Sequence, residues 1–265
     1  MKRDCSDPTR GVKITCAFEP ASRPAQLPST GSPEDNAQEA EQVLLALALA
    51  VEQRDNVTSG HCQRLALTSM ALGMSMSLEP ESLVALYRGG YLHDIGKVGI
   101  PDSILLKPAK LTPEEWAIMK AHPQRGAEIC QHMRSLAKVV PVVRHHHERW
   151  DGTGYPDGLR GAQIPLLARV LQIADIYDAL TNSRCYKPAF SPKEAIAIIE
   201  DETARGWRDP EIVTRFLRIH NEVVTPIVEF TRQEGNSSLV ALNQAIGSLS
   251  PVLKPTATFL GHLSA

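Results

Sequence analysis

The stretch ESLVALYRGGYLHDIGK, residues 81–97, decides how the chain is read. Glu81 to His93 reads as a helix, and it runs directly into two side chains that bind metals, His93 and Asp94. Neighbouring residues on a helix point about 100° apart. His93 can therefore face one ion while Asp94 reaches across to a second, and Lys97 follows one turn later.

Upstream, Thr58 to Ser77 predicts a helix with Leu65, Leu72 and Met76 on one face and Met70 and Met74 beside it as core filler. Asn36 to Arg54 predicts another, with Val43, Leu44, Leu47 and Val51 at helical spacing among Glu34, Glu39, Glu41 and Arg54. Downstream, Thr112-Pro113-Glu114-Glu115 and Ser191-Pro192-Lys193-Glu194 each combine an N-cap, a proline at the first helical position and a glutamate that can complete a capping box. Asp209-Pro210 gives a third start of that kind, and Pro165 to Thr181 reads as an apolar-periodic helix carrying Asp175 and Asp178. No stretch alternates with a period of two, and no internal repeat is visible. The expected fold class is all-α, a helical bundle.

Three regions follow from composition. Residues 1–36 hold Pro8, Pro20, Pro24, Pro28 and Pro33 among Ser, Thr and Gly, and read as a flexible N-terminal tail. Residues 37–222, which hold the helical patterns, read as the main domain. The pattern weakens beyond Val223, and residues 223–265 read as a C-terminal helical extension and tail, of no assignable role, broken at Gly235-Asn236-Ser237-Ser238. The chain is 43% apolar and 22% charged, an ordinary balance for one sizeable core. Its formal charge of −2 supplies no field for duplex nucleic acid or an anionic membrane, so a phosphate ligand must be held locally. The longest apolar run, Val43 to Val51, falls far short of the roughly 20 residues that span a bilayer. Cys5, Cys16, Cys62, Cys130 and Cys185 form no CxxC pair, and no apolar region follows the basic start; a cytoplasmic protein with free thiols is expected.

His61, His93, His122, His146 and His147 lie in or beside helical segments in company with Asp94 and Asp175. Imidazole and carboxylate are donors for first-row transition metals, and burying such a cluster without a cation is costly. So many donors exceed one tetrahedral site and suit two ions sharing a bridging carboxylate. His132, His145, His220 and His262 have no partner pattern and are left out.

His93-Asp94-Ile95-Gly96-Lys97, followed by His146-His147-Glu148-Arg149-Trp150-Asp151-Gly152-Thr153-Gly154-Tyr155-Pro156, resembles the two signatures of the HD-GYP family. Matching stretches at Gly60-His61, Lys120 to Pro123, Ala174 to Thr181 and Asn182 to Lys187 extend the likeness over about residues 38–220. The resemblance implies the HD phosphohydrolase bundle. It implies that His61, His93, Asp94 and Asp175 hold one ion and that Asp94, His122, His146 and His147 hold the other. The ions would be iron or manganese, with nickel, cobalt and zinc also compatible with the donors. It further implies hydrolysis of cyclic di-GMP to pGpG, and in some members GMP, by a hydroxide bridging the metals. Asp94 and Lys97 would be catalytic, and Lys97, Tyr155, Asp178, Arg184 and Lys187 would contact substrate. Asp178, with Glu148, has a second reading, as a residue that orients ligand imidazoles or lysines. The Gly154-Tyr155-Pro156 loop would border the site and engage the GGDEF domains of cyclases that make the messenger. Some members hold a third ion through a carboxylate one turn before the first histidine, where this chain has Val57, so two ions are expected.

Two other readings remain open from the residues. The same metal pair could hydrolyse another cyclic dinucleotide or a nucleotide, or the domain could sense nucleotide or dock a cyclase with little turnover. Oligomeric state and regulatory input are not legible.

Overall fold

The computed structural model describes residues 33–55, 60–182 and 188–234, and every regular element among them is helical, as expected. The N-terminal tail before residue 33 and the chain after residue 234 lie outside the described residues. The helices are α1 (Pro33–Arg54), α2 (His61–Ser75), α3 (Pro80–Leu92), α4 (Asp102–Leu105), α5 (Pro113–Met119) and α6 (His122–Cys130). They continue as α7 (Val140–His145), α8 (Leu166–Thr181), α9 (Pro192–Ala204), α10 (Pro210–Ile219) and α11 (Thr225–Glu234). A 3-10 turn, Ile95–Gly99, links α3 to α4. No helix among the described residues is long and apolar enough to cross a membrane.

The predicted helix starts are realised by side-chain chemistry. Thr112 Oγ1 accepts from the Glu115 amide at 3.3 Å while Glu115 Oε2 accepts from the Thr112 amide at 2.8 Å, and Ser191 with Glu194 repeats the box. Asp209 Oδ1 caps α10 by accepting from the Glu211 amide at 2.9 Å. Each device satisfies donors that a helix end leaves open and contributes about 1 kcal/mol. The second helix begins at His61 rather than Thr58, because Gly60 sits at φ 80°, a left-handed conformation that cannot continue a helix from before. At the far end, the helical path continues past Val223. A π turn, His220–Val224, adds a residue to one turn and so breaks the 3.6-residue apolar rhythm that the sequence reading relied on. Val223, Val224, Ile227 and Val228 are buried in the same cluster as Leu65, Leu72, Leu171 and Phe216, so this segment packs as part of the main core.

That core gathers α2, α3, α8, α9, α10 and α11. A second cluster joins Ala48 and Val51 of α1 to Leu92, Ile95, Cys130, Leu136, Val139 and Val143. Two glycines set the spacing on which the histidines depend. A Cβ at Gly90 would lie 2.4 Å from the Ala66 Cα, so α3 rests backbone to backbone on α2. The antiparallel pair then places His61, at the start of α2, beside His93, just past the end of α3. A Cβ at Gly96 would lie 2.0 Å from the His122 carbonyl oxygen and 2.5 Å from the Gly126 amide, so the 3-10 turn sits directly on α6. That contact carries Asp94 to His122.

Because the atoms facing Gly96 are backbone, they cannot swing aside. Gly96→Ala is expected to destabilise the fold by about 1–3 kcal/mol and lower the melting temperature by roughly 2–10 °C. An unchanged thermal transition would contradict this account of the turn.

Candidate metal centre

Six of the expected ligands converge. Asp94, His122, His146 and His147 each offer one donor atom within 4.8 Å of the others, and His61, His93 and Asp94 form a second such group. Asp94 belongs to both. Its Oδ2 lies 3.1 Å from His93 Nε2, whereas its Oδ1 lies 3.0 Å from His122 Nε2 and 3.9 Å from His146 Nε2. One carboxylate thus presents one oxygen to each set of imidazoles. Asp175 stands at the edge, with Oδ1 3.8 Å from His61 Nε2, and is not within the tighter group of three.

The imidazoles are aimed by local backbone. His93, His122 and His146 stand at helix ends, and each Nδ1 lies within 3.0 Å of the carbonyl three residues earlier, that of Gly90, Met119 or Val143. A carbonyl only accepts, so each Nδ1 carries the proton and each Nε2 turns a lone pair toward Asp94. His61 is set differently. Its Nδ1 bonds Asp178 Oδ2 at 2.7 Å, which leaves Nε2 facing His93 Nε2 at 3.4 Å. Asp178 is itself fixed by Arg64 Nε at 2.5 Å and Asn182 Nδ2 at 2.9 Å. Burial would raise the Asp178 carboxyl, but the His61 bond and the charges of His61 and Arg64 hold it down, to about 2.

These donors fit a cation. Asp94 Oδ1, His122 Nε2 and His146 Nε2 are buried polar atoms without a hydrogen-bond partner, although the first two are only 3.0 Å apart; they converge without the alignment of a hydrogen bond. Burial pushes His93 down, yet the carboxylates of Asp94 and Asp175 drive it up to about 9: the acidic groups draw positive charge to its Nε2, and a metal ion there would take the place of a second proton. On the other side, burial and neighbouring imidazoles hold His146 and His147 well below the usual range, as neutral donors. The rings of His61, His93, His122 and His146 are nearly sealed, but the Asp94 and Asp175 side chains keep 23% and 16% of their surface exposed, so solvent reaches the carboxylate side.

The remaining expected residues divide. Lys97 lies at the centre, with Nζ 2.7 Å from Asp94 Oδ2 and 2.5 Å from Asp55 Oδ2. Tyr155 stacks on His147, ring centroids 4.8 Å apart and planes at 31°. Asp178, expected against substrate, is buried behind His61 and engaged by protein donors, the placement of its second reading. Arg184, Lys187 and Val57 lie outside the described residues. In the run of three histidines, His145 turns away: its Nε2 meets Asp157 at 2.9 Å, and only His146 and His147 enter the site. Glu148 is also structural, accepting from the Asp157 amide at 2.7 Å and the Leu159 amide at 3.1 Å to close the loop after His147.

Sequence reasoning missed the end of α1. Arg54 donates to the carbonyls of Lys97 at 3.2 Å and Ile100 at 2.7 Å, while Asp55 takes the Lys97 ammonium. These contacts join residues more than forty positions apart, and no local pattern announces them. Gln172, also missed, donates to the His146 carbonyl at 3.0 Å and to the Glu148 carbonyl, fixing the ligand pair from α8.

Comparison with known proteins gives a family profile, described as an HD domain, matching residues 43–212. A cyclic di-GMP phosphodiesterase of Vibrio cholerae is 42% identical over 202 residues, covering 71% of this chain and 41% of that protein. A 3'3'-cGAMP-specific phosphodiesterase of the same organism is 38% identical over 182 residues, covering 67% of this chain and 34% of that one. The chain therefore spans less than half the length of these relatives. Among solved structures, a cyclic GMP-AMP specific phosphodiesterase of V. cholerae aligns with a TM-score of 0.54 at 18% identity, covering 81% of this chain and 59% of that one. At that identity the likeness is one of fold.

Since Asp178 orients His61, Asp178→Asn is expected to weaken binding of a divalent ion by roughly 10- to 100-fold. Titration of metal-stripped protein with manganese(II) reads the change, and unaltered affinity would refute the orienting role.

Proposed function

The chain belongs to the HD domain family, in its HD-GYP branch, and we propose that it is a metal-dependent phosphodiesterase hydrolysing cyclic di-GMP, with pGpG as first product. The observation that carries this reading is Asp94, one carboxylate set between two groups of largely buried imidazoles. His61, His93 and Asp94, with Asp175 beside them, would hold one divalent ion; Asp94, His122, His146 and His147 would hold the other. Such a pair supplies Lewis acidity at a phosphate and lowers the pKa of water from about 15.7 toward 7.

The chain's own residues do the rest. The carbonyls behind His93, His122 and His146, and Asp178 behind His61, engage Nδ1 of those four rings and leave each Nε2 to a ligand. Lys97, kept cationic by Asp94 and Asp55, stands where a non-bridging phosphate oxygen would approach Asp94, so it would lower the charge felt by an incoming hydroxyl oxygen. Asp55 and Arg54 position that lysine from α1. Tyr155 of the Gly154-Tyr155-Pro156 loop, packed on His147, would wall the second ion position.

Iron or manganese is the ion class we assign, since mixed imidazole and carboxylate sets suit first-row metals. A cytoplasmic setting accords with the buried thiols of Cys62 and Cys130, and a GGDEF-domain cyclase is the partner we assign to the loop.

Protein purified under reducing conditions and loaded with iron or manganese should convert cyclic di-GMP to pGpG or GMP. Chelation should abolish turnover, and Asp94→Ala should match the chelated enzyme. Turnover retained by Asp94→Ala, or faster hydrolysis of cyclic GMP-AMP, would refute the site or the substrate assignment respectively. Stoichiometric binding without turnover would favour a sensing module.

A further inference from the structure

Helix α5 is anomalous, because none of its seven residues is buried. It is held by its capping box and by Lys107, whose ammonium reaches Glu115 Oε2 at 2.6 Å, rather than by an apolar face in the core. Yet it carries Trp116, 46% exposed, and Ile118, 39% exposed. A tryptophan contributes most to stability when covered, so a rigidly capped helix that leaves one open is built to present it.

Its position gives the presentation a purpose. The Trp116 ring stands edge to face with Tyr155, centroids 6.3 Å apart and planes at 76°. Tyr155 in turn lies on His147, one of the clustered donors. A continuous run of rings therefore leads from the metal centre out to an open indole face. Of the lysines near this run of rings, Lys97 already meets Asp55 and Asp94, and Lys107 meets Glu115. The chain's formal charge of −2 adds no general attraction for an anion. The bases offer a further source of affinity, since their flat faces stack on aromatic side chains.

We propose that Trp116, steadied by Tyr155, is a stacking platform for one purine base of the cyclic dinucleotide whose phosphate lies at the metal centre. This rests on the phosphodiesterase reading and adds a substrate-binding residue to it. The indole binds a base, not the scissile group, so it governs occupancy rather than the chemical step.

The experiment compares wild type, Trp116→Ala, Trp116→Leu and Trp116→Phe in the full metal-loaded chain, with cyclic di-GMP as substrate. Trp116→Ala and Trp116→Leu are expected to raise KM roughly 10-fold or more, with kcat changed by less than about threefold. Trp116→Phe, which keeps a π face, should recover most of the loss. Metal content and melting temperature should stay at wild-type values, as expected for a residue outside the core. Fluorescence provides a readout independent of turnover: pGpG should quench wild type, and Trp116→Ala should lose that quenching although Trp150 and Trp207 remain. An unchanged KM in Trp116→Ala, or equal behaviour of the Leu and Phe variants, would overturn the platform while leaving the phosphodiesterase reading intact. A wild-type enzyme that neither binds nor cleaves cyclic di-GMP would overturn both.

Discussion

The arrangement depends on a single half-buried carboxylate with two duties. Asp94 turns Oδ2 to His93 and Oδ1 to His122 and His146, and this convergence is unfavourable unless positive charge joins it. Much of the surrounding structure can be understood as holding that convergence in place. Gly90 lets α3 lie on α2, Gly96 lets the turn after Asp94 lie on α6, and Arg54 ties the same turn to α1. Stability and function are opposed at this point, since the folding energy comes from two apolar clusters while the polar centre draws on it.

Much of this was legible because the signals were local. Capping residues at Thr112, Ser191 and Asp209 fix helix starts through contacts within three positions, and those starts fall where expected. The candidate ligands were identifiable because their spacing resembles a known family, and the structure brings six of them into two groups that share Asp94. The choice of His146 and His147 over His145 rested on that resemblance alone. Geometry supplies the physical ground: the Val143 carbonyl turns His146 inward, while Asp157 draws His145 out.

What was not legible is long-range or depends on backbone detail. Asp55 acquires its role only when α1 meets the turn bearing Lys97, and nothing in its neighbours marks it. Asp178 carries no sign in the sequence of the partners it meets in the fold, where it is buried against His61, Arg64 and Asn182. The π turn at His220–Val224 hid a buried segment by shifting its apolar phase. The rings of Trp116 and Tyr155 meet across nearly forty residues, and a lone exposed tryptophan draws no attention in a linear string.

The central claim is that one carboxylate serves two ions, and elemental analysis of anaerobically purified protein tests it most directly. The account predicts two equivalents of transition metal per chain in wild type, one retained in His61→Ala or in His147→Ala, and neither in Asp94→Ala. Full metal content in Asp94→Ala, with the fold intact by circular dichroism, would contradict it.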